Sequence, residues 1–432
     1  MFQKNPRDFL DEVQNLGLDQ QSQLKLWQQC QAKKQLLRTK AVQAGAIICS
    51  MPPTDRFTID LVPQLLPQSL DCVVFYFWSN PPYELEQWCA RFKSSKRNVI
   101  MVIKDSLCGW RDVDWWNRDV LAGAAWLQDM AIRCPDNNFV ILTSLENLDQ
   151  EFSCLPGNLQ LVSCGGDLVN QQDLYAQVDP VLDKDLSSKY SFISLNRHRR
   201  PARKMLISYL YGRGLETTGH ISHLFLEPAM LEQDLLHDIC WQFDLPRHDQ
   251  LRSTMLQGWE KIQHNRPESP GLNIYPENVI NDNVSNFEQN LRPMYRQSFV
   301  ELTVETTFEP ASFLLTDKTQ NIFFACNFPI LLSGRGAVQH LRHMGMDMFD
   351  DVIDHGYDTV SNPMDRLAQA VDRNFQILSD PDLAKTQWLR CRDRMAANAE
   401  AIKTIAFRYG DRARAQMSRV RWNQTQTLPK DI

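Results

Sequence analysis

No pair of cysteines in this chain has the C-x-x-C spacing of a zinc knuckle or a redox couple. The 11 cysteines among 432 residues are scattered singly from Cys30 to Cys391. An odd, dispersed set of thiols suits a reducing compartment, so a cytoplasmic location is expected. No run of 18 apolar residues occurs, and Asp8, Asp11 and Glu12 stand where a secretory leader needs its apolar stretch. Neither secretion nor a membrane span is expected. Basic excess is also missing: 46 Lys and Arg against 52 Asp and Glu give a net charge of −6, which weighs against nucleic acid and anionic membranes as partners. Any anion site must then be a local patch. The P-loop, H-E-x-x-H, G-x-S-x-G and protein-kinase signatures are absent, and Gly334-Arg335-Gly336 lacks the third glycine of a dinucleotide fingerprint. Three Asp-x-Asp pairs (Asp112/Asp114, Asp183/Asp185, Asp380/Asp382) are what chance supplies in so acidic a chain, and no Cys or carboxylate completes a set with His220 and His223. No metal site and no bound cofactor are expected.

What is present is a chain with 43% hydrophobic and 23% charged residues, the mix of a folded protein of about two or three domains. That excludes disorder, collagen and a small disulfide scaffold. Residues 1–45 are Gln-rich with Phe9, Leu10, Val13 and Leu16, then Leu24, Leu26 and Trp27, at helical spacing, so amphipathic helices that make a partner-facing or packing appendage are expected. From 46 onward, short apolar runs at 46–49, 72–78, 98–103 and 139–143 alternate with helical stretches, as buried parallel strands do. The helix over 110–134 carries Trp115, Trp116 and Trp126, which are taken as core. A polar linker near 180–190 ends this domain, 46–185. A second α/β unit, 186–375, opens with a strand at 190–195 and a helix at 202–211 stopped by Gly212 and Gly214. Within it, 225–297, rich in Asn, Pro and Gln, reads as an insertion or a set of helices with long loops. Residues 299–307 alternate, with Val300, Leu302 and Val304 on one face and Glu301, Thr303 and Glu305 on the other. A helix at 317–326, a strand at 328–332 and a helix at 336–344 follow, and helices with a basic tail occupy 376–432. The expected fold class is α/β, two Rossmann-like domains with helical extensions at both ends.

Two segments carry chemistry. Between Ser191 and Leu215 lie six basic residues, Arg197, Arg199, Arg200, Arg203, Lys204 and Arg213, and no acid. They cluster where a strand gives way to a helix, the edge at which α/β sheets bind ligands and helix amides favour phosphate. The second is Glu305 at a strand end, followed by Thr316-Asp317-Lys318 opening a helix, with Thr316 as N-cap and Lys318 in the first turn. A diphosphate fits that helix start. Arg203 and Lys318 would neutralise a departing nucleoside diphosphate, and Glu305 or Asp317 would accept hydrogen bonds from sugar hydroxyls.

Residues 190–375 resemble the glycosyltransferases of phages and bacteria related to α-1,3-fucosyltransferases. The resemblance rests on Ser194-Leu195-Asn196-Arg197 with Arg203, on Glu305, on Thr316-Asp317-Lys318, on Pro329 to Gly334, and on Gly345-Met346 with Phe349 and Tyr357-Asp358. It implies a GT-B arrangement, a nucleotide-sugar donor in the C-terminal domain and no required metal. It also implies donor contacts from Asn196, Arg197, Arg203, Glu305, Thr316, Asp317 and Lys318. Asp317 stands where that family has Glu, a shorter reach. The N-terminal half has no such match, so the acceptor, a glycan or other hydroxyl, and the general base are sought at its strand ends, in Glu84, Glu86 and Asp105, with Glu305 a further catalytic candidate. The competing reading is a non-catalytic structural or interaction protein on the same scaffold. Nucleic-acid binding through Arg390 to Arg421 is the weaker third, because Asp393, Glu400 and Asp411 interrupt those charges.

Overall fold

The computed structural model describes residues 46–48, 72–77, 89–90, 98–103, 118–165, 178–196, 201–222, 249–264, 287–305, 308 and 312–421. The chain divides into two compact units. Unit 1 comprises Met1–Gln172, Pro310–Leu314 and Ile405–Ile432, and unit 2 comprises Asp173–Glu309 and Leu315–Thr404. The compositional linker near 180–190 thus lies inside unit 2. Both units are α/β with wholly parallel sheets among the described strands.

In unit 1, strands β1 (Ala46–Ile48), β2 (Cys72–Phe77), β3 (Asn98–Ile103), β4 (Asn138–Thr143) and β5 (Leu159–Ser163) pair in sequence order. Every residue of β4 is buried, as expected of a parallel strand covered on both faces. Helix α1 (Arg118–Arg133) lies between β3 and β4 in the chain. It turns Leu127, Met130, Ala131 and Cys134 into a core with Val99, Met101, Phe139, Ile141 and Leu314, and Trp126 packs against that core. At its C-terminus, Asn158 Nδ2 donates to the carbonyls of Ala131, Cys134 and Asn137 at 3.0, 3.2 and 3.0 Å, satisfying groups the helix leaves open.

Unit 2 carries β6 (Phe192–Ser194), α2 (Pro201–Gly212), β7 (Gly219–Ile221), α3 (Asp249–His264), the short α4 (Arg292–Tyr295), β8 (Val300–Val304), α5 (Asp317–Phe324), β9 (Phe328–Leu332) and α6 (Ala337–His343). Its sheet order is β7-β6-β8-β9. The chain moves outward from β6 to β7, then crosses back to place β8 on the other side of β6. Strand order therefore reverses between β6 and β8, the position where open α/β sheets form their ligand crevice. The alternating strand at 299–307 is central, so its polar face is buried as well: Glu301 and Thr303 are each 1% exposed. The insertion at 225–297 contains α3, which packs on α2 through glycines. A β-carbon at Gly258 would lie 1.8 Å from Ser208 O, and one at Gly212 would lie 2.0 Å from Thr254 O.

The stretch 376–432, expected to hold C-terminal helices and a tail, is divided between the two units. Helices α7 (Pro363–Arg373), α8 (Phe375–Ser379) and α9 (Pro381–Lys403) belong to unit 2, where Trp388, Cys391, Met395 and Ala399 form the buried face of α9 and Trp388 Nε1 donates to Cys326 O at 2.7 Å. Helix α10 (Ile405–Met417) belongs to unit 1. There the Tyr409 ring occupies the space beside Gly165, whose φ of +58° and 2.3 Å approach leave no room for a side chain. No described helix is long and apolar enough to cross a membrane.

Candidate functional site

The C-terminal ends of β6 and β8 bring together the two segments singled out from sequence. Pro201 starts α2 with its φ already helical and no N–H to leave open. Two residues on, Arg203 is 1% exposed and its Nη2 donates to the carbonyl of Val304, the last residue of β8, at 3.2 Å. Val304 is followed by Glu305, which anchors the start of α5. Thr316 caps that helix, its hydroxyl accepting from the Lys318 amide at 3.3 Å. Arg203 and Lys318 therefore converge on the same strand end although 115 residues separate them in sequence, 318 less 203.

Glu305 lies beneath this edge instead of projecting over it. It is fully buried, with Oε1 accepting from the Thr316 amide at 3.0 Å and from Thr319 Oγ1 at 2.6 Å. Oε2 accepts from Thr316 Oγ1 at 2.6 Å and faces Lys318 Nζ at 3.6 Å. Burial pushes its pKa up, but the Lys318 ammonium and the bonds from Thr316 and Thr319 outweigh that and hold it below the ordinary carboxylate value. The expectation of a sugar-facing carboxylate is corrected on this point. With both oxygens engaged inside the protein, Glu305 is a positioning residue that locks the N-terminus of α5.

Lys318 is the more exposed of the two cations. Its Nζ folds back onto Thr316 Oγ1 at 2.9 Å and toward Asp317 Oδ1 at 3.9 Å, with a quarter of the side chain exposed. Asp317 is about one-third exposed. On the neighbouring strand, the Asn196 amide donates to Ser222 Oγ at 2.7 Å, and Asn196 Nδ2 donates to Ser194 O and Oγ, each at 3.1 Å. Its Oδ1 is buried without a hydrogen-bond partner. An acceptor left open in this way, at the point of strand-order reversal, is an unusual cost unless something donates to it.

The remaining motif residues are structural. Asp358 accepts from the amides of Val338 and Gln339 at 3.2 and 3.1 Å, tying the start of α6, and Tyr357 Oη accepts from the Leu331 amide at 3.0 Å. Phe349 is buried with φ +57° and packs edge-on to Phe328. Asp183 pairs with Arg296 at 2.9 Å, Asp185 accepts from Ser187, and Asp380 caps α9, so these acids serve turns and caps. Among the described residues no three His, Cys, Asp or Glu side chains group as metal ligands. Of the C-terminal arginines, Arg390 and Arg394 pair with Asp351 and Asp347, Arg412 with Glu146 and Arg414 with Asp411. Arg197, Arg199, Arg200, His223, Asp112, Asp114, Glu84, Glu86, Asp105 and the helices expected over 1–45 lie outside the described residues.

Sequence reasoning missed Glu146, the acid just beyond β4 in unit 1. It is 1% exposed, Arg412 Nη1 donates to its Oε2 at 2.7 Å, and Ser163 Oγ donates to its Oε1. Its place after the 139–143 run was the one available signal. No family model, curated protein or solved structure matches this chain.

Proposed function

We propose that the protein is a glycosyltransferase that moves a sugar from a nucleoside-diphosphate donor to a hydroxyl acceptor, with the donor held by unit 2 and the two α/β units arranged as in GT-B enzymes. The observation that carries the reading is that Arg203 bonds the last carbonyl of β8 while Lys318 faces the carboxylate of the next residue, Glu305, beside the strand-order reversal and the capped start of α5. The resemblance of residues 190–375 to the fucosyltransferase-related family supports it.

In this reading an arriving diphosphate draws Lys318 Nζ off Thr316 Oγ1, while Glu305 keeps the cap in place. Arg203 supplies the fixed positive charge, and the amides at the start of α5 add their dipoles. Asn196 Oδ1 accepts a donor group of the nucleotide, and Asp317 reaches toward a sugar or ribose hydroxyl. The acceptor oxygen attacks the anomeric carbon as the bond to the diphosphate breaks. The diphosphate leaves with the electron pair, and a base takes the acceptor proton. Side-chain cations carry the charge neutralisation. Glu84, Glu86 and Asp105 are the sequence candidates for the base.

Thermal unfolding with a panel of GDP, UDP and ADP and their sugar conjugates tests the reading. A nucleotide at ten times its Kd adds about 1.4 kcal/mol of stability. That raises Tm by about 3–6 °C for a domain of roughly 150–250 residues. Lys318→Ala should remove most of the shift, and no shift with any nucleotide would overturn the reading. Persistent internal saturation of Glu305 and Lys318 with every nucleotide tried favours the second reading, a scaffold retained for interaction after its activity was lost.

A further inference from the structure

Within unit 2, two buried rings fasten the stretch that follows β9. His355 is 6% exposed and Tyr357 is fully buried, at the start of the short turn Gly356–Thr359. His355 Nε2 lies 2.7 Å from Met348 O, and a carbonyl can only accept, so Nε2 carries the proton of the neutral ring. Nδ1, 3.1 Å from Tyr357 Oη, is then the acceptor. Strand β9 is the last of its described sheet, and its Leu331 amide donates to Tyr357 Oη at 3.0 Å, which leaves the hydroxyl proton for Nδ1. Each ring donates once and accepts once, in a single direction from Leu331 N–H to Met348 O. This chain secures the loop beyond β9. The next residue, Asp358, takes the Gly336 amide on its carbonyl at 3.1 Å and the Val338 and Gln339 amides on its carboxylate. Met348, at the other end, precedes Phe349, whose φ of +57° is costly for a residue with a side chain.

We infer that the chain Leu331–Tyr357–His355–Met348 is an acid-released latch, which holds the 345–358 segment against the end of β9 only while His355 is neutral. A second proton on the ring must go to Nδ1, where it faces the Tyr357 hydroxyl. Tyr357 Oη can turn to accept it, but the hydroxyl proton then loses its acceptor inside a fully buried space, and the added charge is itself buried. Around the ring, Arg342 of α6 opposes a positive charge, while Asp350 and Asp354 favour one. Both acids are already paired, Asp350 with Arg342 and Asp354 with Arg373. Burial is the largest influence and holds His355 below its ordinary 6.5. The stability that the neutral ring supplies is therefore complete above 6.5 and is lost as pH falls below it toward the folded pKa. The latch does not rest on the transferase reading.

Native-state hydrogen exchange on the full chain without ligand, expressed as protection relative to the free peptide at each pH, tests the latch. Between pH 7.5 and pH 5.5 the opened form gains stability from protonation at 6.5, so protection of the Leu331 and Gly336 amides should fall by about fivefold or more. Leu331 is diagnostic, because Asp358, itself pushed up by burial, holds Val338 and Gln339 but not Leu331. His355→Gln cannot titrate, and its Leu331 protection should stay level over the same range. Amides of β4 are the reference and should hold in both proteins. Nitrogen-15 NMR of labelled histidine gives a second measurement on the wild type. His355 should show the Nε2–H tautomer and a midpoint below 6.5, and Tyr357→Phe, which removes the hydroxyl that stabilises the neutral ring, should move that midpoint up. An Nδ1–H tautomer, a wild-type midpoint at or above 6.5, or Leu331 protection that ignores acid or falls equally in His355→Gln would overturn the inference.

Discussion

Replacing Glu305 with Gln keeps the shape of the most enclosed acid in the candidate site and removes its charge. The wild-type carboxylate takes bonds from the Thr316 amide, Thr316 Oγ1 and Thr319 Oγ1 and faces Lys318 Nζ at 3.6 Å. The carbonyl oxygen of Gln can retain the Thr316 amide and Thr319, but as neutral bonds. Each falls from about 2 kcal/mol toward about 1 kcal/mol. The amide nitrogen replaces Oε2 and meets Thr316 Oγ1, which already accepts from Lys318 N and Nζ at 3.3 and 2.9 Å, so about 2 kcal/mol more is lost there. Gln is spared part of the desolvation cost of a buried charge, which leaves a net loss of about 2–3 kcal/mol. For a domain of roughly 150–250 residues that lowers Tm by about 4–12 °C. The pH dependence gives a sharper check. Because Glu305 titrates below the unfolded value of 4.5, its contribution is complete above that value and disappears as pH falls through the lower folded pKa. The gap between wild type and Glu305→Gln, followed by thermal denaturation from pH 8 to pH 3, should therefore be flat above about 4.5 and close below it. Equal melting temperatures at neutral pH, or a gap independent of pH, would refute the assigned role of this residue.

Gly258→Ala should lower Tm by about 4 °C or more, because the new methyl meets the main-chain atoms Ser208 O and Gly212 N, and the gain of about 1 kcal/mol in helix propensity cannot offset forcing α2 and α3 apart. Gly157→Ala, where nothing lies within 4 Å, is the control and should leave Tm nearly unchanged. Glu301 is raised to about 8 by burial, so the folded state holds its proton between 4.5 and about 8 and wild-type stability from this group declines as pH climbs through that window. Glu301→Gln keeps the acceptor that Tyr295 Oη uses at 3.2 Å and does not titrate, so its stability relative to wild type should improve steadily from pH 4.5 to pH 8 in urea titrations. A constant difference across that range would show that Glu301 is ionised in the fold. Near it, Lys184 Nζ donates to Tyr295 O, Ala325 O and Asn327 Oδ1 at 2.7, 2.7 and 2.6 Å. Burial lowers its pKa to about 7. Three acceptors use all three protons of an ammonium, but the folded state gives up its proton above about 7 while the unfolded chain keeps it, so the loss in Lys184→Met should be smallest at or below neutral pH and grow as pH rises above about 7.

Elements with continuous apolar runs or explicit caps were legible in the sequence. Strands β3 and β9 and helices α5 and α6 fall where the 98–103 and 328–332 runs, Thr316 and Gly345 place them. Strand β5 was not legible, because Gln160 interrupts its apolar run. That side chain faces Asn138 Oδ1 at 2.9 Å, a pairing visible only in three dimensions. Strand β7 is three residues long and its Gly219 lies against the Phe192 ring, so it had no run to read. Helix α3 had no legible bounds in an Asn-, Pro- and Gln-rich stretch that reads equally as an insertion or as helices with long loops, although Met255, Trp259 and Ile262 form its buried face. At the candidate site the strand end and the cap could be read, but the burial of Glu305 could not. Its depth comes from Thr316 and Thr319 closing over it, 11 and 14 residues further along the chain.

Because α10 completes unit 1, the order of synthesis and the order of folding cannot coincide. Tyr409 fills the space at Gly165, and Arg412 neutralises Glu146, yet both leave the ribosome after all of unit 2. The nascent first sheet must wait with one flank uncovered and one buried acid uncompensated, a window in which chaperone capture or misassembly competes with completion. A fragment ending at Gln172 carries that vulnerability permanently. Cutting this protein after Gln172 should yield an aggregating N-terminal piece, which lacks both α10 and the Leu314 side chain of its core.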